Sequence, residues 1–236
     1  MQGSAAEVGA LLEASSVCAG YGKAQALFDV NLSVARGECL AVLGSNGAGK
    51  STLARCLAGT LPLAAGRLTF SGKDITRLHA YKRARNGVVV LPEERAIFPS
   101  LTVTENLHLA TVGGDRKEIE ARAYTEFPML ASRRKQIAGT LSGGEQQLLA
   151  LACALARHPR ILIADEPSLG LAPKAIDSFY EHVRDVVERG VALILIEQFI
   201  DRAMALADDV VVLRQGRVAW AGPAQEATKE VLHGYL

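Results

Sequence analysis

Hydrophobic positions along the chain fall into three spacings, and each predicts a different kind of element. Phe28, Val30, Leu32 and Val34 alternate with Asp29, Asn31 and Ser33, a period of two that marks a half-buried, antiparallel strand. Cys39–Leu43, Gly87–Leu91, Ile161–Ala164 and Val191–Ile196 are short, almost unbroken apolar runs, the pattern of strands covered on both faces. Leu53, Cys56 and Leu57, then Leu148, Leu151, Ala152 and Leu155, then Ile176, Phe179, Tyr180, Val183, Val186 and Val187 recur at helical spacing. They predict amphipathic helices, the first stopped by Gly59 and the second ended before Pro159.

Turn residues divide the remainder. Leu11–Cys18 predicts a first strand that runs into an Ala19-Gly20-Tyr21-Gly22 turn. Leu68–Phe70 and Lys73–Ile75 predict a hairpin about Ser71-Gly72, and Val210–Leu213 and Arg217–Ala221 a second one about Gln215-Gly216. Pro92-Glu93-Glu94 breaks the Gly87–Leu91 strand, and strand spacing is then absent up to Thr140. Thr104–Ala110 and Lys117–Phe127 predict helices joined by Gly113-Gly114, so residues 95–140 are expected to form a helical insert. The chain from Pro223 predicts a final helix. The sum is an α/β fold with a mixed, largely parallel core sheet, an antiparallel β portion and an inserted helical portion. One domain is expected over 9–236, with its core at 9–94 and 141–236, and residues 1–8 as a flexible terminus.

Composition removes several function classes. Among 236 residues no apolar run approaches the ~20 needed for a membrane helix, and the start, MQGSAAEVGA, has no basic region or signal core. A cytosolic protein is expected. The net charge of +1 argues against a nucleic-acid partner. Cys18, Cys39, Cys56 and Cys153 lack C-x-x-C spacing and read as reduced, mostly buried apolar residues. Arg77, Lys82, Arg83 and Arg85 read as the solvated face of a short helix.

Three stretches carry chemistry. Directly after the Cys39–Leu43 strand, Gly44-Ser45-Asn46-Gly47-Ala48-Gly49-Lys50-Ser51, with Thr52 next, fits the phosphate-binding loop G-x-x-x-x-G-K-[ST]. Its glycines let successive N–H groups converge on one anion, and the following helix adds the positive end of its dipole. Lys50 reaches the β- and γ-phosphates, and the Ser51 hydroxyl is placed to ligate Mg²⁺. Leu141-Ser142-Gly143-Gly144-Glu145-Gln146 opens the second helix with capping-box spacing between Ser142 and Glu145. Two glycines in a first turn cost stability, and close approach of a phosphate to a bare helix N-terminus would explain them. Asp165-Glu166 ends a buried strand, where ligands bind in parallel sheets. One carboxylate is expected on Mg²⁺ and the other on an attacking water. Tyr21, ahead of the phosphate loop, either stacks on an adenine face or packs on the sheet.

GSNGAGKS, LSGGEQQ and ILIADEP in this order resemble the ATP-binding cassette family of P-loop ATPases over essentially the whole chain. GSNGAGKST, VVLPEERAIFPSLTVTENL and LILIEQ are similar to the ATPase subunits of branched-chain amino acid importers, the Liv type and its F subunit in particular. The resemblance implies an ATP-hydrolysing transport subunit that works as a pair of cassettes, identical or not, clamping two ATP molecules head to tail. Lys50 and the loop 44–52 would hold ATP, Ser51 and Asp165 Mg²⁺, and Glu166 the attacking water. Tyr21 would stack on adenine, and residues 141–146 would reach the ATP of the opposite subunit. Membrane permease subunits are the implied direct partners, met near Glu93–Phe98 and the helical insert on the inner face of the cell membrane. A solute-binding protein would act only indirectly.

Two positions depart from the general cassette pattern. Glu93 stands where a Gln usually senses Mg²⁺ and water, and Gln198 where a His usually contacts the γ-phosphate. Both fit the F-type pattern, and Gln198 still donates a hydrogen bond although it cannot become cationic. Two other readings stay open at this level: a nucleotide-binding clamp that barely hydrolyses ATP, and a soluble cassette in repair or cluster assembly. The long heptad arms of repair cassettes are absent.

Overall fold

The structure is a computed structural model that describes residues 9–94, 96–111 and 115–235. The expectations for residues 1–8 and for the Gly113-Gly114 joint lie outside the described residues. The strands are β1 (Leu12–Tyr21), β2 (Ala24–Val34), β3 (Cys39–Leu43), β4 (Ala65–Phe70), β5 (Lys73–Asp74), β6 (Val88–Leu91), β7 (Ile161–Asp165), β8 (Ala192–Glu197), β9 (Asp209–Arg214) and β10 (Arg217–Pro223). The α-helices are α1 (Lys50–Ala58), α2 (Ala80–Arg85), α3 (Val103–Ala110), α4 (Arg116–Glu126), α5 (Pro128–Ser132), α6 (Gly143–Leu155), α7 (Pro173–Glu188), α8 (Ile200–Met204) and α9 (Lys229–Tyr235).

Two sheets form. One is antiparallel with the order β2-β1-β4-β5. The other has the order β10-β9-β3-β8-β7-β6, parallel except for the returning hairpin strand β10. The parallel strands are buried on both faces, which is why their sequences do not alternate. In β3, Cys39, Ala41 and Leu43 enter a core shared with α3, α6 and α7. Leu40 and Val42 enter a second core shared with α1 and the antiparallel sheet. Between β6 and α6 the described residues hold only helices, α3 to α5 and a short 3₁₀ turn at Ala138–Thr140, as the α/β expectation with an inserted helical portion requires.

The structure departs from the sequence expectations in four places. First, β1 continues through Tyr21, and the turn is the shorter Gly22-Lys23. A Cβ on Gly20 would stand 2.2 Å from the carbonyl oxygen of Ala24, so that glycine serves strand pairing. Second, Phe28 leaves the alternation. Asp29 has φ of 55°, the register of β1 on β2 shifts there, and Leu27 is buried where Phe28 was expected. Such a bulge turns every side chain beyond it to the other face.

Third, α6 is buried on nearly all sides. Leu149, Ala150, Cys153 and Ala154 are buried with the expected Leu151, Ala152 and Leu155, and Leu148 is only half-buried. The helix packs against α3, α7 and β6 at once. Fourth, Arg83 is not part of a solvated face but is 2% exposed. Its guanidinium donates to the carbonyls of Cys56 (2.6 Å), Leu57 (2.8 Å), Leu78 (2.9 Å) and Thr76 (3.0 Å). It closes the C-terminal end of α1, whose last carbonyls have no partner within the helix. Negative carbonyl ends also favour a cation there.

Candidate nucleotide-binding site

The site forms where β3, β8 and β7 end side by side, with Leu43 paired to Glu197 and Asp165 to Ile196. That register brings Gly44, Gln198 and Glu166 to one edge although they are far apart in sequence. The loop 44–49 leaves β3 and delivers Lys50 as the first residue of α1. The β9–β10 turn clamps it, with Gly216 N–H donating to the carbonyl of Ala48 at 2.9 Å and Gly216 carbonyl accepting from Phe28 N–H at 2.8 Å. Gly49 has φ of 106°, and a Cβ on it would lie 2.8 Å from the Leu27 side chain. Gly44 is equally constrained, since its Cβ would meet the carbonyl oxygen of Leu213 at 2.6 Å. No side chain caps the N-terminus of α1 and no acid stands in its first turn. Its amides are therefore left to an anion from outside the chain.

Lys50 is buried, and its ammonium donates to the carbonyls of Gly44 (2.9 Å) and Ser45 (3.3 Å) while pairing with Glu166 Oε1 at 3.1 Å. Thr52 is buried and Ser51 half-buried, whereas Ser45, Asn46 and Gly47 are exposed at the loop tip. Burial, then the neighbouring Glu166, raise the Asp165 carboxyl to about 6, against a hydrogen bond from Ser51 that lowers it. Asp165 Oδ1 is buried with no hydrogen-bond partner. An orphaned carboxylate oxygen beside a serine hydroxyl is a pair of hard oxygen donors that fits Mg²⁺, with phosphate oxygens and water completing its shell. Glu93 and Glu166 act on Asp165 through their charge, and the described residues hold no cluster of three ligating side chains. Glu166 has φ of 46°, outside the range favoured by a non-glycine residue, and its N–H donates to the carbonyl of Ile196 at 2.9 Å. Backbone strain of this kind is held only where the surroundings impose it.

A cleft of about 690 Å³ opens over the loop and is lined by Asn46, Gly47, Gly49, Lys50, Ser51, Thr52, Glu93, Glu166 and Gln198. That is the size of a small-ligand site. Gln25, Ala26, Phe28, Leu169 and Gln215 complete its wall and were not singled out from the sequence. Phe28 was assigned to the core by its alternation, and only the bulge at Asp29 turns it away. Tyr21 does not line this cleft. Its ring is 46% exposed at the end of β1, and its hydroxyl accepts from Arg55 Nη1 at 3.1 Å.

The segment 141–146 does not line the cleft either. Ser142 and Glu145 form the expected capping box on α6, with Ser142 N–H donating to Glu145 Oε2 at 2.7 Å. Arg133 pairs with Glu145 at 2.7 Å, Leu141 is buried, and Gln146 Nε2 donates to the carbonyl of Leu141 at 3.1 Å. A Cβ on Gly144 would lie 2.4 Å from Ala175 Cβ. Contact with the start of α7 is thus a reason of its own for glycine at 144, beside the phosphate approach inferred from the sequence. The sequence also gave no weight to Glu197, Ser168 and Tyr180, which meet directly behind the cleft. Tyr180 read as plain core because its spacing is that of the apolar face of α7.

Comparison with known proteins agrees with this geometry. The family described as ABC transporter matches residues 27–169. The chain is 39% identical over 231 residues to the high-affinity branched-chain amino acid transport ATP-binding protein BraG of Pseudomonas aeruginosa, covering 96% of this chain and 99% of that protein. It is 37% identical to the probable branched-chain amino acid transport ATP-binding protein LivF of Archaeoglobus fulgidus, over 92% of this chain and 93% of the relative. Among solved structures, a nucleotide-free ATP-binding cassette from an ABC transporter superposes with a TM-score of 0.84 at 26% identity, covering 96% of this chain and 94% of that one. An ATP-binding cassette in its ADP conformation superposes equally well, with a TM-score of 0.84 at 26% identity over 96% and 98% of the two chains. The chain thus belongs to the ABC transporter family, as one of its nucleotide-binding, ATP-hydrolysing cassettes.

Proposed function

We propose that the chain is the ATPase subunit of an importer for branched-chain or related amino acids, held by permease subunits at the inner face of the cell membrane. The named relatives support the substrate class. The observation that carries the site reading is the convergence of Lys50, Ser51, Glu93, Glu166 and Gln198 on one cleft that residues 141–146 do not line. One chain then supplies half of a site, and a second cassette, identical or not, supplies the other half. Residues 9–94 and 141–236 would form the nucleotide-binding core, and 95–140 the arm facing the permease.

In this reading the loop amides of 44–52 and Lys50 hold the phosphates in the cleft, and the exposed ring of Tyr21, outside the cleft wall, stacks on an adenine that extends beyond it. Ser51 and Asp165, with Glu93 beside them, hold Mg²⁺, which when bound neutralises phosphate charge. Lys50 exchanges Glu166 for phosphate oxygens, and the freed Glu166 carboxylate polarises the attacking water. Gln198 donates its amide N–H to the γ-phosphate. Leu141, Ser142, Gly143, Gly144, Glu145 and Gln146 present the N-terminus of α6 to the nucleotide on the partner cassette. Permease docking is supported by the exposed ring of Phe98, which ends the Glu93–Phe98 segment, and by the exposed Tyr81 and Leu109 beside that segment. Buried Asn106 pins both backbone groups of Phe98, accepting from its N–H at 2.7 Å and donating to its carbonyl at 3.0 Å.

Steady-state Mg-ATP turnover of the purified chain, with Glu166→Gln as the blank, tests the site. Turnover rising with the square of protein concentration and lost in the variant is expected. Turnover that survives in Glu166→Gln, or that is strictly linear in protein at all concentrations, overturns the shared-site reading. Co-purification with branched-chain amino acid permease subunits tests the transport assignment.

A further inference from the structure

Glu197 ends β8 with only 1% of its surface exposed. A carboxylate removed from water to that degree is costly unless every lone pair is answered. Here the donors are neutral. Oε1 accepts from the Ser168 hydroxyl and the Tyr180 hydroxyl, each at 2.7 Å, and Oε2 from Gln198 N–H at 3.1 Å. Burial and the adjacent carboxylate push Tyr180 far up, so its hydroxyl is a permanent donor.

The partners explain why such a group is kept. Ser168 is buried in the loop immediately after Glu166, and its neighbour Leu169 reaches the cleft wall. Gln198 lines the same cleft. Tyr180 stands on α7, in the core. Glu166 itself is strained, and two contacts brace it locally: its N–H on the Ile196 carbonyl and its carbonyl on Leu169 N–H at 3.1 Å. Glu197 closes this brace into one unit, because a single carboxylate holds the loop behind Glu166 and the backbone of Gln198 together.

We propose that Glu197 is a positioning residue that sets Glu166 and Gln198 at a fixed separation by binding Ser168, Tyr180 and the Gln198 backbone on one buried carboxylate. The inference rests on Glu166 and Gln198 acting at the nucleotide, as proposed above. Neither Glu197 nor its two hydroxyl partners lines the cleft. They make no nucleotide contact of their own and act through the geometry of Glu166 and Gln198. Small misplacements of reacting groups reduce the rate of the chemical step far more than they reduce binding.

Glu197→Gln keeps the volume but replaces one accepting oxygen by an amide N–H. Facing Gln198 N–H it loses that bond, and facing the hydroxyls it is answered only if both turn from donating to accepting, so the charged three-bond brace is weakened either way. Turnover and KM for Mg-ATP, ATP affinity in a Glu166→Gln background, and the thermal midpoint are measured together. The expected result is a loss of kcat of about tenfold or more with ATP affinity kept within about threefold. Ser168→Ala, which removes one donor from a loop, gives a smaller loss of the same kind, and the double variant loses no more than Glu197→Gln alone. Unchanged kcat in both single variants overturns the proposal. So does a parallel fall of kcat, affinity and thermal midpoint, the mark of a merely structural group. Should Glu197→Gln fail to fold, Ser168→Ala decides: kcat lowered with affinity kept supports the brace, and parental kcat removes it. A fully active Glu197→Gln chain beside a dead Glu166→Gln chain overturns only this inference, whereas an active Glu166→Gln chain overturns the site reading with it.

Discussion

Lys50 and Glu166 are paired at 3.1 Å, which ties two groups that separate, in the proposed reading, once a phosphate binds. Lys50→Ala is expected to abolish turnover and to weaken ATP binding by about 2–3 kcal/mol, since a charge-assisted contact to phosphate is lost. Isothermal titration with ATP checks this. In the proposed reading Gln198 donates to the γ-phosphate, where a neutral amide gives less charge stabilisation than an imidazolium. Gln198→His is therefore expected to raise kcat several-fold. Turnover equal to the parent would show that charge at 198 is not limiting. At Gly144 the 2.4 Å approach to Ala175 decides the sign of a substitution. Overpacking by one methyl costs about 1–3 kcal/mol, against roughly 1 kcal/mol regained in helix propensity. A lower urea midpoint for Gly144→Ala, seen without nucleotide or partner, is the expected outcome.

Among the elements, α1 carries the phosphate loop at one end and depends on Arg83 at the other. Arg83→Met keeps the bulk but leaves the carbonyls of Cys56, Leu57, Thr76 and Leu78 without their donor. A loss of about 3–5 kcal/mol in unfolding free energy is expected by chemical denaturation. The sequence concealed this because a buried arginine that answers carbonyls looks, residue by residue, like its solvated neighbours Lys82 and Arg85. The capping boxes were legible to unequal degrees. Thr102 and Glu105 have the same spacing as Ser142 and Glu145 and cap α3 in the same way. Hydrogen bonds from the backbone N–H and then the hydroxyl of Thr102 hold the Glu105 carboxyl below its ordinary 4.5. A depressed folded value means that this contribution is complete above pH 4.5 and is lost as pH falls through the folded value. The difference in thermal midpoint between the parent and Glu105→Gln should shrink steadily below pH 4.5.

For the molecule as a whole, the separation of Ser142–Gly144 from the cleft within one chain makes a distinctive prediction about pairing. In the shared site proposed above, Lys50→Ala disables the loop half and Ser142→Arg the helix half. In a mixed pair of identical cassettes, one site then has both defects and the other has neither. Mixing the two inactive variants should restore turnover toward a quarter of the parent's, by simple statistics of random pairing with one sound site in each mixed pair. Absence of recovery, with a parent that is active alone, would show that copies of this chain do not share sites.

The sequence by itself determined the elements that depend on local spacing and backbone chemistry. The phosphate loop was legible because glycines at fixed intervals before Lys50 are demanded by the turn itself. The parallel strands were legible because burial on both faces leaves no polar positions. The Ser142 cap was legible because its partner lies three residues away. Tertiary structure alone decided what depends on distant neighbours. It decided that Phe28 faces the cleft, through a bulge set by strand register, and that Arg83 is buried under α1. It also decided that Gly144 is required by Ala175, and that Ser168, Tyr180 and Glu197 meet. These are contacts between chain segments up to tens of residues apart, and nothing in the spacing of either partner reports the other.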